Sequence, residues 1–155
     1  MNVREIRDLL AAEPFFRDLD PGYLDFIAGC GTNVHFDAGT MIFREGEPAN
    51  TFYVLRHGKV ALEIHVPQRA ALVIETLGAG EVFDWSWLFP PYRWQFDARA
   101  VDGTSAIALD GACLRQKCDE DTRLGYLLMQ RFTQVTQERL QATRLQLLDV
   151  YGTAR

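Results

Sequence analysis

The sequence lacks the features that several classes of protein require. No long hydrophobic run is present. The longest stretch free of Asp, Glu, Lys and Arg is Phe26 to Phe36, eleven residues, against roughly 18 for a membrane span. The N-terminal residues Met1 to Asp8 carry acids and no apolar segment, so no signal peptide is expected. An excess of positive charge is also missing. The net charge is -5, without the basic footprint of a free-standing nucleic-acid binder. Cysteine is scarce, with only Cys30, Cys113 and Cys118. An odd, sparse count in an acidic chain points to three free thiols in a reducing compartment, hence to the cytoplasm. Structural zinc wants four closely spaced Cys/His ligands. Cys113 and Cys118 have no such company, and His35, His57 and His65 are isolated, so no metal site is expected. No Gly-x-Ser-x-Gly or comparable nucleophile motif occurs, and no catalytic residue is expected.

What is present is an ordinary globular balance. Of 155 residues, 48% are hydrophobic and 24% charged, enough to bury a core without disulfides. Three textures follow one another. In residues 1–33, Val3, Ile6, Leu9 and Leu10 share one face of a helix over Asn2 to Ala12, which Pro14 stops. Leu19 to Ala28 reads as a second short helix. Asp20 is its N-cap, Pro21 its first helical residue, and Leu24, Ile27 and Ala28 form its apolar side. Residues 34–118 alternate in short runs between Gly, Pro, Asn and Asp. Val60, Leu62, Ile64 and Val66 alternate with Ala61, Glu63 and His65 as a half-buried strand, and Leu72, Ile74 and Thr76 as another. Many short strands with regular turns indicate a sandwich, jelly roll or barrel.

Residues 119–151 hold no Pro, only Gly125 as a breaker, and mostly strong helix formers. Asp119 to Asp121 put negative charge where a helix start favours it. Leu124, Leu127, Leu128, Phe132 and Val135 form one stripe, suited to packing on a sheet. Met129, Thr133, Thr136, Leu140, Thr143, Leu147 and Val150 form a second, with the alternating spacing of four and three that marks a coiled-coil seam. That seam is consistent with a homodimer or with a single helix packed on its own domain.

The run from Ala38 to Val60 holds a Gly39 turn, an apolar strand, the Glu45-Gly46-Glu47 turn, and an aromatic strand ending at Gly58. It resembles the cyclic-nucleotide-binding domain family, which includes the bacterial catabolite activator and the regulatory subunit of cAMP-dependent protein kinase. Pro14, Phe15, Phe16 and Leu19 match the segment that precedes it in the family. The resemblance spans roughly residues 9 to 150. It implies a mainly β fold, a β jelly roll with N-terminal helices and a long C-terminal helix. The implied role is a non-catalytic sensing module with cAMP, cGMP or another small molecule as the possible ligand; the lack of targeting signals and the small sensor domain point to a bacterium. The implied mechanism is a ligand-driven shift in the packing of the long helix, read by a copy of the chain (through Leu140 and Leu147) or by another protein.

In that family the ligand sits after a Gly-Glu motif, which Gly80 and Glu81 match, followed by Val82. The family's Glu takes the ribose hydroxyl, while helix-terminal N–H groups and one Arg hold the phosphate. With Ala100 aligned to the family's small strand residue, that Arg falls on Trp94, and Arg93 lies one residue early. A one-residue shift turns a strand side chain to the other face, although the Pro90-Pro91 loop could absorb it. Asp84, at the expected start of the short helix, would cap the same N–H groups that should meet phosphate. Trp85, Trp87, Phe89, Tyr92, Trp94 and Phe96 could line a pocket or close it. The candidate ligand set is therefore Gly80, Glu81, Val82, Arg93 and Trp94. The alternative is a filled domain that acts by dimerisation or protein docking. The sequence stops at Arg155, where the family's transcription factors begin their helix-turn-helix, so DNA binding is not expected.

Overall fold

The computed structural model describes residues 2–153. They divide into two compact units, one ending at Lys117 and the other starting at Cys118. In the first, α1 (Val3–Ala11) begins at Asn2, whose side chain accepts from the Glu5 N–H while Glu5 reaches back to the Asn2 N–H, each at 2.9 Å. This reciprocal capping box satisfies two otherwise orphaned donors. A 3-10 turn at Pro14–Phe16 buries both phenylalanines. Helix α2 (Pro21–Ala28) has the expected cap: Asp20 accepts from the Gly22 N–H at 2.7 Å, with Pro21 in the first turn. Leu24, Ile27 and Ala28 are its buried side.

Seven strands follow among the described residues: β1 (Gly31–Phe36), β2 (Met41–Phe43), β3 (Thr51–His57), β4 (Val60–Ile64), β5 (Leu72–Leu77), β6 (Asp97–Ala100) and β7 (Thr104–Asp110). They form two antiparallel sheets, one ordered β1-β7-β3 and the other β2-β6-β4-β5. With the flanking helices this is the jelly-roll arrangement. Gly58, at φ +103°, turns β3 into β4. A Cβ there would lie 2.6 Å from the Gly103 oxygen and 2.8 Å from the Thr104 Cα, so the turn admits only glycine.

Two strand readings change in detail. β4 is not half-buried: Val60, Ala61, Leu62 and Glu63 are all buried, because β4 lies between β5 and β6 with a register shift at Leu62/Glu63. The buried Glu63 carboxylate meets the Arg99 Nε at 2.8 Å. β5 lies at a sheet edge, and its Leu72, Val73 and Ile74 are exposed despite their apolar character.

The cysteines depart further. Cys30 and Cys113 form a disulfide, with Cα atoms 5.7 Å apart, and only Cys118 is free. Their separation of 83 residues hid the pair, since the register that brings the start of β1 beside the end of β7 cannot be read locally. The sulfur count had suggested three thiols; the fold overturns that.

The helical C-terminal part also starts earlier than its composition suggests. Asp110 accepts from the Cys113 N–H at 2.8 Å and opens α3 (Gly111–Glu120). Asp119 and Glu120 thus end a helix instead of starting one. Asp121 alone plays the expected role, accepting from the Leu124 N–H at 3.2 Å at the head of α4 (Thr122–Thr153). Gly125 has a packing reason: a Cβ there would stand 3.1 Å from the Cys118 carbonyl oxygen. On α4, Leu124, Leu128 and Phe132 are buried at intervals of four, while Leu127 and Val135 are partly exposed. Every residue from 140 to 152 is exposed. No described helix is long and apolar enough to cross a membrane.

Candidate functional site

The segment between β5 and β6 carries every residue that the sequence nominated. It leaves β5 through a turn that Glu81 closes on itself. The Gly78 N–H donates to Glu81 Oε2 at 2.6 Å, and the Glu81 N–H to the Gly78 carbonyl at 3.1 Å. Gly80 takes φ +87° inside it. The next residues add to β3: Gly80 N–H donates to Leu55 O at 2.8 Å, Leu55 N–H to Glu81 O at 2.9 Å, and Phe83 N–H to Tyr53 O at 3.1 Å. Val82 is buried opposite Val54. Gly80, Glu81 and Val82 therefore anchor the segment to the sheet, and the Glu81 carboxylate is turned to its own backbone.

Asp84 starts an irregular loop. No helix forms here; a single turn carries the Leu88 N–H to the Trp85 carbonyl at 2.9 Å. The expected short helix is absent, and Asp84 spends its Oδ2 on the Ser86 hydroxyl, 2.7 Å away. The Trp87 indole N–H donates to the Asp84 carbonyl at 3.2 Å, and the ring is fully buried, 5.3 Å from Phe52. The loop passes a cis Pro90-Pro91 bond and Tyr92 at φ +56°. Its outer side is held by Arg115 of α3, whose Nη1 donates to the Trp87 carbonyl and whose guanidinium lies 4.2 Å from the Tyr92 ring centre.

From Tyr92 the chain runs extended beside residues 46–49. Ala49 N–H donates to Tyr92 O at 2.7 Å, Trp94 N–H to Glu47 O at 3.0 Å, and Gly46 N–H to Trp94 O at 2.8 Å. Side chains alternate along such a segment, and the outcome is that Arg93 points out and Trp94 in. Arg93 is exposed and donates to the Gly46 carbonyl at 3.2 Å. Trp94 is 4% exposed and stacks on Phe43 with ring centres 3.7 Å apart and an interplanar angle of 8°. Phe83 and Phe96 close around Phe43 at 6.3 and 6.0 Å, and Tyr53 lies 5.1 Å from Phe83. This aromatic cluster, with Leu55, Leu62, Leu77 and Ala98, occupies the space inside the roll. Burial pushes the Tyr53 phenol above its usual pKa, against a smaller opposing hydrogen bond from Thr51.

Outside the cluster, Asp84, Trp85, Ser86, Phe89, Pro90, Pro91, Arg93 and Gln95 line an open cleft of about 260 Å³. That is below the usual range of small-molecule pockets, roughly 300–1,000 Å³. Of the nominated residues only Arg93 borders it. The one-residue shift read from the sequence thus has a physical outcome, with a cation outside and an indole inside. Arg99, between buried Ala98 and Ala100, pairs with Glu63 on the sheet. Among the described residues no group of three or more His, Cys, Asp or Glu is placed to hold a metal ion.

A jelly roll flanked by helices, with an irregular segment between β5 and β6 beside its interior, is the architecture of the cyclic-nucleotide-binding domains. The family model of the cyclic nucleotide-binding domain matches residues 33–121, and the chain belongs to that family. Over 146 residues it is 23% identical to the CRP-like cAMP-activated global transcriptional regulator of Mycobacterium tuberculosis, covering 94% of this chain and 63% of the regulator. It thus spans less than two thirds of the length of that curated relative. Among solved structures, a cyclic nucleotide-binding domain from Methylobacillus flagellatus superposes with a TM-score of 0.78 at 17% identity, over 95% of this chain and 83% of that one. The sensor domain of the transcriptional regulator DNR from Pseudomonas aeruginosa gives 0.72 at 22% identity, over 90% and 93%. These likenesses establish the fold.

Proposed function

We propose that the chain is a non-catalytic regulatory module whose roll is closed by its own side chains, and which works through α4 as a dimerisation or protein-interaction element. The observation that carries this reading is the Trp94–Phe43 stack. An indole stands where the resemblance puts the phosphate-binding Arg, so a nucleotide phosphate inside would meet a buried apolar ring and no cation. The exposed end of α4 supports the second half. Met129, Leu140, Leu147 and Val150 are 40–63% exposed on the coiled-coil seam. Thr133 and Thr143 share that seam, and each donates its hydroxyl to the carbonyl four residues back, at 2.8 and 3.0 Å. With its hydroxyl occupied in the helix, each can offer its methyl to a partner. A second copy of the chain is the occupant we favour, in the cytoplasm.

A second reading rests on the cleft beside Arg93. There cAMP or cGMP would bind across the Gly80–Trp94 segment with Arg93 as its phosphate contact. Calorimetric titration with both nucleotides separates the two readings. No heat, together with a melting temperature unchanged at millimolar nucleotide, fits the closed roll. Micromolar binding that Arg93→Ala abolishes would replace it with the second reading. Sedimentation analysis of the free protein tests the dimer.

A further inference from the structure

Cysteine pairing is rare in cytosolic proteins, and when found there it is usually transient and redox-sensing. The placement of this pair gives it something to control. Cys30 follows α2 and is 8% exposed; Cys113 is partly exposed in the first turn of α3. Two residues further along α3 stands Arg115, which holds the loop after Asp84 through the Trp87 carbonyl and the Tyr92 ring. The seat of α3 on this loop is also tight at its start, since a Cβ on Gly111 would lie 3.0 Å from the Trp87 Cβ. One short helix thus carries both the covalent tie to the N-terminal helices and the clamp on the loop that borders the candidate cleft.

We propose that Cys30–Cys113 is a reversible disulfide whose reduction by a dithiol loosens α3 and, through Arg115, the loop of residues 84–92. The inference concerns that loop whether or not a nucleotide binds beside it. In the forward step a thiolate of the reductant attacks the Sγ of Cys113, the more exposed of the two residues. The S–S bond breaks, and Cys30 leaves as a thiolate that takes up a proton. The second thiol of the reductant then attacks its own sulfur in the mixed disulfide, and Cys113 leaves and is protonated. The protein gains two electrons and two protons, and the reductant departs as a disulfide. The start of α3 favours a leaving thiolate at Cys113. The Asp110 carboxylate, which accepts from the Cys113 N–H, opposes it. Across the junction, the Lys117 ammonium lies 3.9 Å from the Phe26 ring centre and supplies a cation near Gly29. The Cys30 carbonyl also accepts from the Asp110 N–H at 2.9 Å, a tie that does not involve the sulfurs, so reduction would loosen α3 without releasing it.

The molecule carries its own reporter. Its three tryptophans, Trp85, Trp87 and Trp94, all lie in or beside this loop. The full-length protein, purified without reductant, would be incubated with graded dithiothreitol under native conditions. Thiols would be counted by maleimide labelling and mass spectrometry, with tryptophan emission recorded in parallel. The expected result is one labelled thiol before reduction and three after it, with an emission change that follows the thiol count and reverses on reoxidation. Cys118→Ser should keep the response. Arg115→Ala should gain the two thiols while losing most of the emission change, and its far-ultraviolet dichroism would show whether it is folded. Should it unfold, reduced wild-type protein alkylated at Cys30 and Cys113 replaces it, and must hold the reduced emission after the reductant is removed. Three labelled thiols at the outset, a bond that resists dithiothreitol until the protein is denatured, or reduction without any emission change would each overturn the proposal.

Discussion

Replacing Trp94 by alanine tests whether the interior of the roll is a packed core. Trp94 is 4% exposed and lies face to face with Phe43 at 3.7 Å. A buried aromatic of this size removes roughly 200 Å² from water. At about 25 cal/mol per Å² that corresponds to about 5 kcal/mol, and Trp→Ala changes in cores cost about 3–5 kcal/mol. We therefore expect a loss of about 4 kcal/mol. For a chain of 155 residues, each kcal/mol shifts the melting temperature by about 2–4 °C, so the midpoint should fall by roughly 8–16 °C. Urea unfolding would measure the free energy directly. A double-mutant cycle with Phe43→Leu and Trp94→Leu should add a coupling of about 1 kcal/mol for the stack. Arg93→Ala, one residue away and exposed, should cost under about 0.5 kcal/mol. A loss below about 1 kcal/mol for Trp94→Ala would refute the reasoning, since an indole that contributes so little is not filling the roll.

Other perturbations probe separate parts of the molecule. Cys30→Ser should lower stability by about 2–4 kcal/mol; the chain-entropy relation for a separation of 83 residues allows roughly 4.5 kcal/mol, and a melting shift under about 2 °C would contradict it. Buried Glu13 has its pKa raised, chiefly by burial, against the smaller opposing influence of Arg56 and His57. A carboxyl with a raised folded pKa gives stability that is fully present below its unfolded value and is lost as pH rises through the folded value. Glu13→Gln should thus be more stable than wild type at neutral pH and lose that advantage near pH 4, as melting curves against pH would reveal. Leu140→Asp combined with Leu147→Asp should yield a monomer by sedimentation where wild type sediments as a dimer; an unchanged mass for a dimeric wild type would dismiss the seam. Arg99→Ala, which strands the buried Glu63 carboxylate, should cost about 1–2 kcal/mol, discounted because Arg99 is itself partly exposed.

The local devices were legible because they are written in neighbouring residues. Asp20-Pro21 opens α2 through a hydrogen bond two residues away, and the Gly58 turn depends on a single missing Cβ. The direction of Trp94 was half legible: the period of two told which way a shifted residue must face, but not that Phe43 would be there to receive it. What escaped reading depends on distant register. β1 pairs with β7 over Gly31↔Leu109, which brings Cys30 and Cys113 together; nothing near either cysteine announces it. The start of α3 was missed for another reason. Asp110 closes a strand and caps a helix at once, and the acidic run at Asp119 to Asp121 offered a louder signal further on. The burial of Glu63 escaped because an acid in an alternating strand reads as the wet side, whereas its partner Arg99 comes from β6.

The bond between Cys30 and Cys113 also has a topological side. It closes a covalent ring that contains all seven strands, with α1, α2 and α4 lying on the tails outside it. A backbone cut within the ring, as in residues 65–71 between β4 and β5, leaves a single covalent molecule with two new ends. A cut in either tail releases a fragment. In its oxidised form the roll can therefore be opened without being divided, and a protease acting on its loops changes the connectivity of the chain without releasing a fragment.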